Sequence, residues 1–279
     1  MSRVISVPVL MYHHVTPAGG HINVTPQNFE SQLHWLKQNG YVSLTSEQFA
    51  AYLLGEPVPR KSVLITFDDG YLDNYIHAWP LLQQYGFNAL VFLVTSWMQD
   101  GAAREVSVDP RQRIQTLRHD ACMQAIEQRR LDDVAMRWSE VVLTQESGVF
   151  EFHSHTHTHT RWDKTDPSYK NTHIQRELAQ SRETLQRRLG AVSEHFCWPQ
   201  GYFDADYVRL AKEAGFKYLY TTQAFGQNTP GMDPANIYRF AVRDTHGASV
   251  GRRIKVAAHP VIGPIFNAFK RWKRARRVR

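Results

Sequence analysis

The chain has 279 residues, of which 42% are hydrophobic and 21% charged, an ordinary globular composition that argues against disorder. Its formal net charge of +7 is unevenly placed: residues 252–279 hold ten of the 33 Lys and Arg and no Asp or Glu, whereas residues 1–251 hold 23 basic and 26 acidic residues, a net of −3. A slightly acidic body argues against a nucleic-acid partner; two cysteines exclude a disulfide framework, and no apolar run is long enough for a transmembrane helix.

In chain order, Val7–His13 reads as a short strand. Thr25-Pro26 opens a helix as cap and first residue, with Phe29, Leu33 and Leu36 on one face and Asn39-Gly40 as its end. Thr45 with Gln48 forms a capping box for a second helix that ends near Gly55. Strands are predicted at Ser62–Phe67, Asn88–Val94, Val149–His153, His195–Trp198, Lys217–Thr221 and Ile237–Val242. Helices are predicted at Asp73–Tyr85, around Asp120–Arg130, at Asn171–Leu189 and at Asp204–Ala214, the last two stopped by Gly190 and Gly215. Residues 97–147 are more polar and read as a helical insertion. Strands alternating with helices imply an α/β fold with a parallel sheet, open or closed into a barrel. The expected organisation is a catalytic body over 1–251 and a separate basic tail over 252–279. Met1–Pro8 carries one charge and lacks the apolar core of a signal peptide, so the expected location is cytoplasmic.

Two segments carry chemistry. Thr66-Phe67-Asp68-Asp69-Gly70 lies where an apolar strand ends, the place where α/β folds put reactive groups. Adjacent carboxylates repel unless a cation relieves them, although Asp-Gly is also a common turn pair. Phe152-His153-Ser154-His155-Thr156-His157-Thr158-His159 follows another strand; an extended chain would project all four histidines to one face, whereas on a turn or helix His155 and His159 would still be neighbours at i, i+4, and imidazoles are good ligands for zinc and related metals.

Together these segments resemble the polysaccharide deacetylases, carbohydrate esterase family 4, also called the NodB-homology family. The resemblance implies a distorted (β/α) barrel that acts as a metal-dependent N-deacetylase on an N-acetylhexosamine. In the family the first Asp is the general base, here Asp68, and the second a metal ligand, here Asp69. A His-[Ser/Thr]-x-x-His run completes the ligands, best matched by His155 and His159, with His153 and His157 as the alternative register. The metal implied is zinc, with cobalt, nickel or manganese as alternatives. The third family motif, Arg-x-Pro-[Tyr/Phe]-Gly, meets Cys197-Trp198-Pro199-Gln200-Gly201. The Arg that orients the base is replaced by Cys197, while the Gln200 backbone N–H is implied as oxyanion donor. The general acid, usually carried by a late Leu-x-His, is best matched at the start, in Val9-Leu10-Met11-Tyr12-His13-His14. This resembles a permuted subgroup that includes exopolysaccharide deacetylases, and it implies His13; His259 is the late alternative. Tyr71, Asp73 and Asn74 fit the same subgroup, with Asp73 also readable as a helix N-cap.

In the tail, Ile265, Phe266, Phe269 and Trp272 form one apolar stripe beside Lys270, Arg271, Lys273, Arg274, Arg276 and Arg277. A basic amphipathic helix of this kind predicts contact with an anionic membrane surface, through Phe266, Phe269, Trp272, Lys270 and Arg271. With a cytoplasmic body, it suggests a peripheral enzyme at the inner face of the membrane whose substrate is an N-acetylated glycan or a lipid-linked sugar, such as a lipopolysaccharide precursor. Three other readings remain: an exported exopolysaccharide or peptidoglycan deacetylase, a non-catalytic metal- or glycan-binding protein, prompted by the missing Arg, and a cyclic-amide hydrolase on the same scaffold.

Overall fold

A computed structural model describes residues 6–20 and 22–276. Its strands are β1 (Val9–Tyr12), β2 (His14–Val15), β3 (Asn23–Val24), β4 (Val42–Ser43), β5 (Ser62–Asp69), β6 (Ala89–Leu93), β7 (Phe150–Ser154), β8 (His195–Cys197), β9 (Tyr218–Tyr220) and β10 (Phe240–Ala241). The helices are α1 (Pro26–Gln38), α2 (Ser46–Leu53), α3 (Trp79–Tyr85), α4 (His119–Glu127), α5 (Trp138–Glu146), α6 (Trp162–Thr165), α7 (Lys170–Leu189), α8 (Ala205–Glu213), α9 (Gly247–Ala258) and α10 (Ile262–Ala275). Local signals account for several boundaries. Thr25 caps α1 ahead of Pro26, the Thr45–Gln48 capping box closes reciprocally, and Gly190 ends α7 in a left-handed conformation.

The main sheet is parallel throughout, in the order β10-β1-β5-β6-β7-β8-β9, with β4 also paired to β5. It curls until its edges nearly meet. Leu10 and Met11 of β1 pair with Phe240 and Ala241, and Ile237 makes a parallel bridge to Tyr220 of β9. Residues 237–241 therefore touch both edges, which is the expected barrel-like closure. Side chains alternate between two faces. Val9, Leu64, Leu90, Phe92 and Tyr220 meet Phe49 and Tyr52 of α2 on the inner side, whereas Leu10, Ile65, Phe67 and Val91 pack outward with Phe29 and Leu33 of α1.

Two expectations change. The helix expected over Asp73–Tyr85 is a π-helical turn, Asn74–Ala78, followed by α3. Pro80 has no N–H for an uninterrupted helix, so it is accommodated in the first turn of α3. The boundary drawn between 251 and 252 falls inside α9, where a Cβ on Gly251 would come within 2.2 Å of the Trp35 ring, so α9 lies flat on α1.

Residues 97–147 supply Cys122, Ala125, Val134, Met136, Trp138 and Val141 to the outer core. Their own polar centre is Glu140, fully buried, whose carboxylate accepts from Arg104 Nε at 2.7 Å, Arg104 Nη2 at 2.9 Å and the backbone N–H groups of Arg104 and Arg137. Glu140→Leu leaves the Arg104 guanidinium with Asp132, at 4.0 Å, as its nearest carboxylate. The substitution is expected to cost about 3–5 kcal/mol in urea unfolding; a loss below about 1 kcal/mol would show that the pair does not hold this segment.

Candidate active site

The alternation of β5 places Leu64, Thr66 and Asp68 on the inner face. Asp69 would point outward by the same rule, but its φ of 75° and that of Gly70, also 75°, turn the chain so that both carboxylates face one cavity. A Cβ on Gly70 would lie 2.5 Å from Leu93 Cδ2, so the turn requires glycine. The cavity, of about 200 Å³, is lined by His13, Asp68, Asp69, His155, His159 and Trp198 among others, with Gln200 at its edge.

Asp69, His155 and His159 form a candidate metal set. Both Nε2 atoms lie 3.4 Å from Asp69 Oδ1, which has no hydrogen-bond partner among the described residues although it is buried. An orphaned carboxylate oxygen faced by two imidazole nitrogens suits a divalent cation. His155 Nδ1 donates to the Cys197 carbonyl at 2.8 Å, which fixes the tautomer and leaves Nε2 free to ligate. Burial pushes the His159 imidazole down to about 4 against the pull of Asp69, so it stays neutral, the form that binds metal. Burial alone would raise the Asp69 carboxyl, but the two imidazoles bring it well below the usual carboxylate range.

The four histidines do not share one face. His153 does lie on the inner side, one layer below His155, but it is sealed there with Nδ1 2.7 Å from Ser193 Oγ and its ring tilted against His195. β7 ends at Ser154, and left-handed φ values at Thr156 (69°) and His159 (63°) turn the chain. His157 therefore points to Thr95 Oγ1, at 2.9 Å, and His159 returns to the cavity. Glu177 of α7 holds this turn by accepting from the backbone N–H groups of His157 and Thr158.

The residue that holds Asp68 was not visible in the sequence motifs. Arg239, fully buried between β9 and β10, forms a two-pronged ion pair with it: Nη1 to Oδ1 at 2.6 Å and Nη2 to Oδ2 at 2.8 Å. Its Nε donates to the Thr221 carbonyl, and Nη2 approaches Cys197 Sγ at 2.9 Å. A small side chain at 197 thus leaves room for an Arg arriving from another strand. Burial raises the Asp68 carboxyl, but the Arg239 guanidinium more than offsets it and keeps the group ionised. A charge inside the apolar stretch Ile237–Val242 was the one available signal.

His13 follows β1 directly, with Nε2 3.7 Å from Asp68 Oδ2. Burial pushes its imidazole below the ordinary value against the pull of Asp68 and Asp69. His259 is elsewhere: its Nδ1 accepts from the N–H groups of Val261 and Ile262 at the start of α10. Gln200 occupies a left-handed φ of 52° in a tight turn and accepts from Arg161 through its side chain. Asp73 is not a helix cap. Its carboxylate accepts from Val15 N and lies 2.6 Å from His14 Nδ1, and His14 Nε2 is 3.3 Å from His119 Nδ1, a residue of the cavity wall.

Arg239→Lys keeps the positive charge but loses the planar fork, so kcat/KM is expected to fall about 10- to 100-fold with the chain still folded. Retention of full activity would mean that the bidentate geometry does not position Asp68.

A profile described as polysaccharide deacetylase matches residues 55–219, more than half of the chain. The chain is 26% identical over 224 residues to the poly-beta-1,6-N-acetyl-D-glucosamine N-deacetylase of Staphylococcus epidermidis, covering 79% of this chain and 68% of that protein. It is 25% identical over 225 residues to the protein of the same name from Escherichia coli K12, covering 76% of this chain, but it spans only 33% of that relative. The solved structure of IcaB from Ammonifex degensii has the same fold, with a TM-score of 0.71 at 23% identity over 91% of this chain and 98% of that one. The profile match contains Asp68, Asp69, His155, His159 and Cys197, whereas His13 and Arg239 lie outside it. The chain belongs to the polysaccharide deacetylase family.

Proposed function

We propose that the chain is a metal-dependent N-deacetylase that removes acetyl from an N-acetylhexosamine in a bacterial glycan. The observation that carries this reading is the placing of an ionised carboxylate, Asp68, beside the Asp69–His155–His159 set in one cavity. Those three residues would hold a divalent cation, zinc or alternatively cobalt, nickel or manganese, which when bound supplies Lewis-acid polarisation and a more acidic water.

The chain's own residues do the rest. Asp68, fixed by Arg239, takes a proton from the attacking water. The Gln200 backbone N–H stabilises the oxyanion. His13 Nε2 delivers a proton to the leaving sugar amine, and its depressed basicity makes the imidazolium a stronger acid than that of a free histidine. The products are acetate and a free amino sugar. The missing motif Arg, which favoured a non-catalytic protein, loses its force because Arg239 supplies a guanidinium to the base.

The named activity of the relatives favours a polymer of N-acetylglucosamine as substrate. A lipid-linked N-acetylhexosamine, including a lipopolysaccharide precursor, is a second reading, supported by the exposed apolar face of α10. Acetate release from a β-1,6-linked N-acetylglucosamine oligomer tests the first reading directly.

Asp68→Asn is expected to keep bound metal and lower kcat about 10²- to 10⁴-fold. Near-native turnover by this variant would remove Asp68 as the base. His155→Ala is expected to lose metal, measured by elemental analysis of the purified protein, and chelation of the wild type should abolish acetate release; full activity in chelator would overturn the metal assignment.

A further inference from the structure

The helix α10 presents its apolar stripe outward. It is held to the body on its other side: Asn267 is buried and donates through Nδ2 to the Gly226 carbonyl at 3.1 Å, and Arg271 Nη1 donates to the Phe225 carbonyl. A Cβ on Gly263 would lie 2.7 Å from Gln227 Nε2, so the first turn lies against the same loop. Phe266, expected in the stripe, instead turns toward this docking side and lines a groove with Phe240, Val242 and Val250.

The opposite face carries Ile262, Ile265, Phe269 and Trp272 at spacings of three, four and three residues, and these side chains are 51%, 66%, 53% and 51% exposed. Val261, 60% exposed, extends the stripe. Such a contiguous row is unusual for a surface exposed only to water. Phe269 and Trp272 stack, with ring centroids 6.0 Å apart, and the Arg276 guanidinium lies 4.0 Å from the Trp272 centroid. Lys273 and Arg276 are exposed beside the stripe, and residues 252–279 contain no acidic side chain.

We infer that this face is a docking surface for a lipid bilayer rich in anionic headgroups, entered by Ile265, Phe269 and Trp272 and held by the flanking Lys and Arg. Aromatic and aliphatic side chains reach the boundary between headgroups and acyl chains while the basic groups remain among the headgroups. Each basic residue near an anionic leaflet strengthens binding about fivefold. A second copy of the chain is a poor occupant, because pairing two such faces brings like charges together without a compensating carboxylate. Nucleic acid leaves the apolar row uncovered. The surface is near the chemistry, since Thr222 lines the catalytic cavity and Phe225, three residues on, accepts from Arg271.

Sedimentation of the full chain with vesicles tests this without reference to catalysis. Vesicles of phosphatidylcholine mixed with phosphatidylglycerol are expected to bind at least about tenfold more protein than vesicles of phosphatidylcholine alone, with binding weakened by added salt. Ile265→Ser, Phe269→Ser and Trp272→Ser combined should abolish this binding, yet leave the circular dichroism spectrum and the hydrolysis of a soluble substrate unchanged. Equal binding to both vesicle types, or undiminished binding by the triple variant, overturns the proposal. So does a dimer in light scattering that depends on these three residues and excludes vesicle binding.

Discussion

Arg239 and Asp68 face each other with side chains 0% and 3% exposed, so both charges are largely withdrawn from bulk water. A buried pair of this kind is tolerable only if the remaining donors and acceptors are also satisfied. Here Thr66, the Thr221 carbonyl and the Cys197 sulfur take up the guanidinium's other contacts. Each demand fixes something else: a hydroxyl on the inner face of β5, an end to β9 that frees the Thr221 carbonyl, and a small residue in β8. The pair also sets the state of the site, since a carboxylate locked by two hydrogen bonds stays ionised and keeps one orientation.

The second carboxylate is handled in the opposite way. Asp69 is also buried, yet among the described residues its Oδ1 accepts no hydrogen bond and is faced by two imidazoles. Holding it so requires left-handed conformations at Asp69, Thr156 and His159, which non-glycine residues adopt at a cost. The Glu177 carboxylate offsets part of that cost by binding the backbone of the histidine turn. One aspartate is saturated by protein groups, and its neighbour is kept open for a group from outside.

Much of this was legible in the sequence, and what was missed has a common cause. The caps of α1 and α2 and the glycine stops are local signals, and they hold. Asp68, Asp69, His155 and His159 sit in short linear patterns, which the resemblance to the deacetylases could read as one site. Arg239 reaches Asp68 across 171 residues, and no local pattern reports that contact. Asp73 looked like a cap because it precedes a helical stretch; its true partners, His14 and Val15, lie more than fifty residues earlier, in the short β2–β3 pairing. The expectation for His157 failed because alternation was carried past the end of β7. The charge break at residue 252 described composition, while the packing of α9 on Trp35 ignores it.

The closure of the sheet also bears on how the molecule acquires its shape. β1 has β5 as one neighbour and β10 as the other, and Leu10 and Phe240 are paired across 230 positions of sequence. During synthesis β1 and β5 can associate while the second edge of β1 still waits for a segment the ribosome has not made. Pairings of such range slow folding and leave an adhesive strand edge exposed in the interim. Because the segment that seals the edge also carries Arg239, the nascent chain holds Asp68 without its counterion until the seam closes. Assembly of the Arg239–Asp68 pair and completion of the barrel are thus one late event.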